Sequence, residues 1–383
     1  MRRYNVGILG CGVISRTYLS DIKNFYPKLN VISCADVTKE LAEKLAGEFD
    51  IDRAYTTDDL LADSEVEIVI DLTPPKFHRE LNEKIIRSGR HLFSEKPFAG
   101  SMEDAAAVIA LAKDHNVYAG SAPDTFLSSG LQSVRHYLDD GIIGTPFMVS
   151  ANMMSFGVET WHPSPAPFYA HDNGPVFDMG PYYISAIVSL LGPIESIMSF
   201  SSKPFETRHV YKGKDAGSDI TSDVDTTCAS ILRLKSGVIA NLNISYDIFK
   251  SDLPLFEIFG DSGTISYPDP NFGGGRPKLY RKEQLLDPVF NDSEGAAERN
   301  KTFVELPELF PRYKDYSRGL GVYDLAYSIE EGLEPRTGGD FVIHVTEALC
   351  GIRRSGKTGQ IYKMTTTCAR PEKTKKGGTV ERD

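Results

Sequence analysis

The feature that most constrains this chain is Gly10-Cys11-Gly12-Val13-Ile14-Ser15, set between the apolar run Tyr4–Leu9 and a helix-forming run that reaches Phe25. Glycines directly after a strand permit a tight turn. They also let main-chain N–H groups at the positive end of the next helix approach a pyrophosphate. Ser15 takes the third small position, where close strand–helix packing leaves little room. A strand that feeds a helix this way commits the succeeding chain to crossovers, and the first third of the sequence obeys. Strand-like runs at 29–35, 68–72, 91–94 and 118–121 alternate with helical patterns at 39–49, 78–88 and 102–115. The expected fold is α/β, with a doubly wound parallel sheet. A glycine turn alone occurs in many such sheets that hold no nucleotide. Asp36 raises the reading, because it closes the second strand, where a carboxylate binds a ribose 2′-hydroxyl and repels a 2′-phosphate. Val37-Thr38-Lys39 carries no arginine, which favours NAD, and Lys39 leaves NADP open.

Past residue 123 the texture changes. A helix at 129–139 is followed by period-two alternation, clearest at 224–234 and 238–248, with Lys235-Ser236-Gly237 as the turn between them. A second hairpin is expected at Gly260-Asp261-Ser262-Gly263 and two closing helices at 319–331 and 340–354. The chain therefore divides into a nucleotide-binding domain at 1–123 and an α+β domain at 124–368 with an open, mostly antiparallel sheet. Residues 369–383, eight of them charged, form a tail expected to be disordered. Two domains suit 383 residues at about 150 per domain.

Composition removes several function classes. Lys+Arg 42 against Asp+Glu 53 gives −11, the wrong sign for a nucleic-acid surface. No apolar run approaches the ~20 residues of a membrane helix. Five cysteines without a CxxC or CxxH pair argue against a disulfide framework or structural zinc, so a reducing cytoplasm is expected. Arg2-Arg3 precede too short an apolar run for an export signal. His344 and Glu347 lack a third partner and read as structural, with no metal expected.

Glu95-Lys96-Pro97 comes just after the strand at 91–94, and ligands bind outside the carboxyl ends of strands in open α/β sheets. There the Lys96 ammonium can hold a substrate hydroxyl and favour its alkoxide. The bland alternative, a Glu–Lys surface pair before a proline turn, is as good on these residues alone.

Taken in order, Gly10-x-Gly12, Asp36, Thr73-Pro74, His78, Glu95-Lys96-Pro97 and Gly174-Pro175-Val176-Phe177-Asp178-Met179-Gly180-Pro181-Tyr182 resemble the Gfo/Idh/MocA oxidoreductases. The likeness runs on through 318–347 and covers nearly all of the chain except the tail. It implies a Rossmann domain, a nicotinamide cofactor held by Gly10, Gly12, Val13, Ile14, Asp36, Thr73, Pro74, His78, Glu95 and Lys96, and a sugar, polyol or glycoside in the cleft between domains. It further implies Lys96 as the catalytic lysine and Asp178 as the acidic residue of the D-x-G-x-H motif. Where many members carry His, this chain has Tyr182, which resembles the glucose–fructose oxidoreductase and dihydrodiol dehydrogenase branches and their tyrosine acid–base group. A Lys96–Tyr182 couple, with Asp178 orienting lysine or substrate, is the arrangement expected. Against it stands a plain structural reading, in which Asp178 caps a helix and Tyr182 packs under the sheet.

The loop at 156–175, with Trp161, His162, Phe168, Tyr169 and His171 among four prolines, reads either as a substrate lid or as a packed loop that buries Trp161. His162 is a second candidate proton carrier. Asp124 resembles a subfamily residue that reaches nicotinamide or substrate. The activity expected is hydride transfer between a secondary hydroxyl and NAD, in a homodimer or homotetramer. The rivals are glycoside cleavage through transient oxidation, and a non-catalytic nucleotide or sugar sensor.

Overall fold

Six parallel strands form the first sheet in the order β3-β2-β1-β4-β5-β6: β1 Tyr4–Leu9, β2 Leu29–Ala35, β3 Arg53–Tyr55, β4 Ile68–Asp71, β5 His91–Ser94 and β6 Ala119–Ser121. The computed structural model of the chain describes residues 2–170, 173–283, 302–310 and 317–383. Helices α1 Val13–Phe25, α2 Lys39–Phe49, α3 Thr57–Ala62, α4 His78–Arg87 and α5 Met102–Asp114 connect these strands. Strand and helix positions match the sequence pattern, apart from β3 and α3, which are too short to show a period. The strand order reverses between β1 and β4, so the crevice beyond their carboxyl ends is the natural ligand site.

The second sheet has nine strands in the order β16-β15-β14-β13-β7-β12-β11-β8-β17. They are β7 Pro146–Met154, β8 Ile194–Ser202, β11 Thr227–Leu234, β12 Ile239–Ser245, β13 Phe256–Gly260, β14 Gly263–Tyr267, β15 Lys278–Arg281, β16 Val304–Glu305 and β17 Tyr362–Lys363. A separate ribbon pairs β9 Thr207–His209 with β10 Asp219–Thr221. Every neighbouring pair in the large sheet is antiparallel except β7 and β12. Both expected hairpins are present. The β11–β12 turn closes with the Leu234 N–H on Val238 O at 2.9 Å and places Gly237 at φ 89°, a conformation that suits glycine. Alternation is strict along β11, where Cys228, Ser230, Leu232 and Leu234 are buried and Ala229, Ile231 and Arg233 face solvent.

Helices α6 Ser129–Asp139, α7 Gly174–Leu191, α8 Leu320–Glu331 and α9 Gly339–Thr358 complete the fold. Residues of α7 and α9 pack in one apolar cluster with the inward side chains of the large sheet, including Leu232, Leu242 and Ile258. Chain position and spatial unit part company at α8. Its Val322, Leu325 and Ala326 belong to the same core as Tyr18, Ile22 and Ile70 of the parallel sheet. The last residues do so too, which corrects the expectation of a disordered tail. Val380 is buried in that core, the Thr374 N–H donates to Gln132 Oε1 at 2.7 Å, and Arg336 donates to Val380 O at 2.8 Å. Arg370, Lys373 and Lys376 pair with carboxylates and Arg382 donates to the Glu334 main-chain oxygen, while Glu372, Lys375, Glu381 and Asp383 stay exposed.

Candidate active site

The glycine turn is shaped by what surrounds it. Gly10 sits at φ 97°, and a Cβ there would lie 2.8 Å from the Leu72 carbonyl carbon, so the main chain leaving β4 demands glycine. Gly12 is the N-cap of α1, donates no side-chain cap and has open space where a side chain would stand. The first N–H groups of α1 thus face an open cradle with no side chain in it, the arrangement that fits a pyrophosphate. Asp36 closes β2 and turns back onto this loop, accepting from the Cys11 N–H at 2.9 Å and the Thr38 N–H at 3.0 Å.

Val13 and Ile14 at the start of α1 line a cavity of about 450 Å³ between the two sheets. Thr73, Glu95, Lys96, Trp161, His162, Asp178 and Tyr182 line the same cavity. Residues read from five separate segments of sequence are therefore neighbours. The Glu95 carboxylate is held on both oxygens, by the Tyr18 hydroxyl at 2.9 Å and the Lys96 N–H at 2.9 Å. This fixes the main chain from which Lys96 reaches across the cleft.

Lys96 Nζ is ion-paired to Asp178 Oδ1 and donates to the Asp178 main-chain oxygen at 2.8 Å. The other Asp178 oxygen accepts from the Tyr246 hydroxyl. Burial alone would lower the lysine pKa, yet the charges of Asp178, Tyr182 and Glu95 carry it above its ordinary value. Lys96 is accordingly a fixed cation. Burial and the Asp178 charge raise the Tyr246 phenol well above its usual range, so it stays a donor.

Asp178 and Tyr182 share one face of α7, but not through capping. Helix α7 begins at Gly174 with Pro175 in its first turn, and Pro181 lies inside it. An internal proline removes one i→i−4 bond and crowds the preceding turn. At this turn the Asp178 carbonyl accepts the lysine. The structural reading of Asp178 as the N-cap does not hold, since Asn173 takes that position. The ammonium stands 5.5 Å from the centre of the Tyr182 ring. The hydroxyl oxygen accepts from Arg318 Nη2 at 3.2 Å. Arg318 and Tyr246 escaped sequence reading. Arg318 opens the resembling segment 318–347 but carries no role there, Tyr246 lies in a plain alternating run, and only the return of the chain through 317–320 and the end of β12 brings them to the cleft.

Trp161 is 59% exposed, so the packed-loop reading, in which it is buried, is overturned. The loop is also less irregular than expected, with single helical turns at Val158–Thr160 and Ala166–Tyr169. The His162 ring packs edge-on to Trp161 and Phe168, and its Nδ1 accepts the Ser164 N–H at 3.1 Å. Burial lowers its pKa, which leaves a neutral ring with Nε2–H as donor. His171 lies outside the described residues.

Six of the expected site residues, Gly10, Gly12, Asp36, Pro74, His78 and Asp124, stand outside the cavity lining. Asp124 is buried, accepts the Gly321 N–H at 2.8 Å and is raised in pKa by burial; it anchors the start of α8 and does not reach the cleft. His78 is buried with Nδ1 2.8 Å from Pro97 O and Nε2 2.8 Å from Thr73 O. It ties together the two loops that border the cleft. Pro74 begins the single turn Pro75–Phe77 between β4 and α4. His344 and Glu347 are held by Ile194, Thr365 and Thr366, away from the site, and burial lowers the His344 pKa to about 4. Among the described residues no group of three or more His, Cys, Asp or Glu could hold a metal ion.

Residues 4–121 match the family model described as an oxidoreductase family with an NAD-binding Rossmann fold, and residues 131–266 match the model of the GFO/IDH/MocA C-terminal domain. An uncharacterized Saccharomyces cerevisiae protein is 24% identical over 350 residues, 85% of this chain and 93% of its own. Levoglucosan dehydrogenase of Pseudarthrobacter phenanthrenivorans is 22% identical over 296 residues, 70% of this chain and 74% of its own. A crystal structure of levoglucosan dehydrogenase in complex with NADH and L-sorbose superposes with a TM-score of 0.75 at 18% identity, covering 95% of this chain and 99% of that one. At that identity the superposition speaks for the fold.

Proposed function

The chain belongs to the Gfo/Idh/MocA oxidoreductase family, and from that premise we propose that it oxidises a secondary hydroxyl of a sugar, polyol or glycoside, with NAD as the oxidant. The observation that carries this reading is one cavity bordered by the glycine turn at the start of α1, the Lys96–Asp178 pair and Tyr182. Relatives named as dehydrogenases of inositol, xylose, apiose and levoglucosan support the substrate class.

Gly10, Gly12 and the first N–H groups of α1 hold the pyrophosphate, and Asp36 takes the adenosine ribose. NAD, when bound, accepts the hydride. The residues of the chain do the rest. Lys96, kept charged by Asp178, holds the reacting hydroxyl and stabilises the developing alkoxide. The same pairing removes it as a base. Tyr182 takes the hydroxyl proton, and Asp178 fixes the direction of the ammonium with Tyr246 behind it. Trp161 and Phe168 offer aromatic faces to a sugar ring and keep water from the reacting carbon.

The test is NADH absorbance on mixing the purified chain and NAD with free sugars, inositols, methyl glycosides and aryl glycosides. Accumulating NADH with any member supports the reading. Released aglycone without net NADH would replace it with internal redox cleavage, and neither signal with tight NAD binding would replace it with a sensor. For Asp36→Ala, the ratio of kcat/KM with NAD to that with NADP should fall by about tenfold, because one ribose hydrogen bond and one charge repulsion are removed together. An unchanged ratio would refute the ribose assignment.

The outer face of the large sheet carries exposed Met148, Phe200, Ile231 and Ile239 on neighbouring strands. Apolar side chains spread over one sheet face suit self-association as a homodimer or homotetramer. Light scattering of the purified chain should show more than one copy, and Ile231→Glu should lower that number. A wild-type chain that elutes as a monomer at micromolar concentration would overturn this.

A further inference from the structure

The phenol proposed as proton acceptor carries a cation on its oxygen that is not supplied by the catalytic lysine. Arg318 precedes α8 and is buried. Its main-chain N–H donates to Asp21 Oδ2 of α1 at 2.8 Å, which fixes the residue against the first domain. Its guanidinium crosses the cleft, with Nη2 3.2 Å from the Tyr182 hydroxyl oxygen and Cζ 5.6 Å from the ring centre. A guanidinium has donors only and keeps its charge, so it meets the phenolic oxygen as an acceptor and cannot take its proton. Among the described residues, the other charged or titratable groups around this phenol are Glu95 and Lys96 from the loop after β5, Asp178 one turn earlier on α7, Tyr246 after β12 and His162 from the cleft loop. The lysine is already matched by Asp178. Arg318 places a cationic donor on the oxygen itself.

We propose that Arg318 is a positioning residue for proton transfer: its guanidinium orients the Tyr182 hydroxyl and stabilises the phenolate that receives the substrate proton. The role rests on the reading of Tyr182 as proton acceptor. In the step, the substrate O–H bond breaks and a phenol O–H bond forms. The carbinol C–H bond breaks with its electron pair leaving as hydride to NAD, and a carbonyl results. A positive charge bonded to the phenolate favours it over the phenol. In a chain whose lysine is neutralised by its own carboxylate, this function falls to the arginine.

The test needs no substrate at its first stage. Tyrosinate absorbance is titrated in the wild-type chain against Tyr182→Phe, and in Arg318→Met against the Arg318→Met/Tyr182→Phe double variant, so that each difference reports Tyr182. The midpoint should rise by about one pH unit or more in Arg318→Met, and Arg318→Lys should lie between the two. With the best substrate of the panel, the acid limb of kcat should move to higher pH by the same amount, with the Kd for NAD unchanged. An unmoved midpoint overturns the proposal, as does a fall in kcat that is equal at every pH. If Arg318→Met does not fold, Arg318→Lys against Arg318→Gln reads the same shift. A Tyr182→Phe chain that keeps the wild-type acid limb would instead sink the assignment of Tyr182 itself, a separate result.

Discussion

Lys96→Ala should lower kcat by about 10²- to 10³-fold while the Kd for NAD changes by no more than a few fold. The first magnitude is what one fixed electrostatic donor at a developing oxyanion contributes. The second comes from position, since the proposed dinucleotide contacts, the glycine turn, the start of α1 and Asp36, do not depend on the lysine side chain. Lys96→Arg should not rescue turnover. The ammonium fits between the carboxylate and the carbonyl of Asp178 on a flexible stem, and a planar guanidinium cannot occupy that site with the same reach. Asp178→Asn should act in the same direction through the lysine, because an amide leaves the ammonium uncompensated and lets it wander. The measurement is steady-state turnover on the responding sugar or polyol, beside a fluorescence titration with NADH. Parallel loss of binding and turnover would mean that the lysine supports the cofactor, and turnover within tenfold of wild type would remove it from the chemistry.

The parallel sheet was legible because its residues obey local rules. Gly10 must be glycine for the main chain leaving β4 to pass, Ser101 caps α5 through the Asp104 N–H at 3.1 Å, and buried strands such as Ile68–Asp71 read as short apolar runs. The Lys96 to Tyr182 frame was legible only because a run of motifs keeps its order along the chain. Its wiring was not. Whether the lysine meets the tyrosine oxygen, the carboxylate or a carbonyl depends on where α7 lies against the loop after β5, and that is set by packing over the large sheet. Arg318, Tyr246 and the docking of Val380 share this cause. Each is an ordinary residue on its own element, given a role by a contact more than 50 residues away in sequence. The tail misleads for the same reason, since a charged composition says nothing of main-chain carbonyls waiting to be met elsewhere.

Arg208→Met should cost about 3–5 kcal/mol of stability. Arg208 on β9 is 1% exposed in its side chain and stands between two carboxylates, Glu159 at 1% and Asp247 at 3%. Nη1 lies 3.3 Å from Glu159 Oε1 and donates to Tyr246 O at 3.1 Å, while Nη2 pairs with Asp247. Asp247 also accepts from the hydroxyls of Thr226 and Thr227, and Glu159 from Tyr169. The guanidinium is flanked by the rings of Phe156, Tyr169 and Phe205 at 5.2 to 5.8 Å. One cation thus ties both helical turns of the cleft loop to β9 and to the residue just beyond β12. Methionine fills the volume but leaves two buried carboxylates facing each other without a counter-charge. The compensated variant Arg208→Met/Glu159→Gln/Asp247→Asn removes those charges with the cation and should regain at least half of the loss. Urea unfolding reads both. Because Trp161 and His162 hang between the two turns, the single variant should also raise the KM for the sugar while the Kd for NAD holds. A loss below about 1 kcal/mol would show that water or a neighbouring donor already balances these carboxylates. A raised KM without any loss of stability would place Arg208 in the substrate's own contacts.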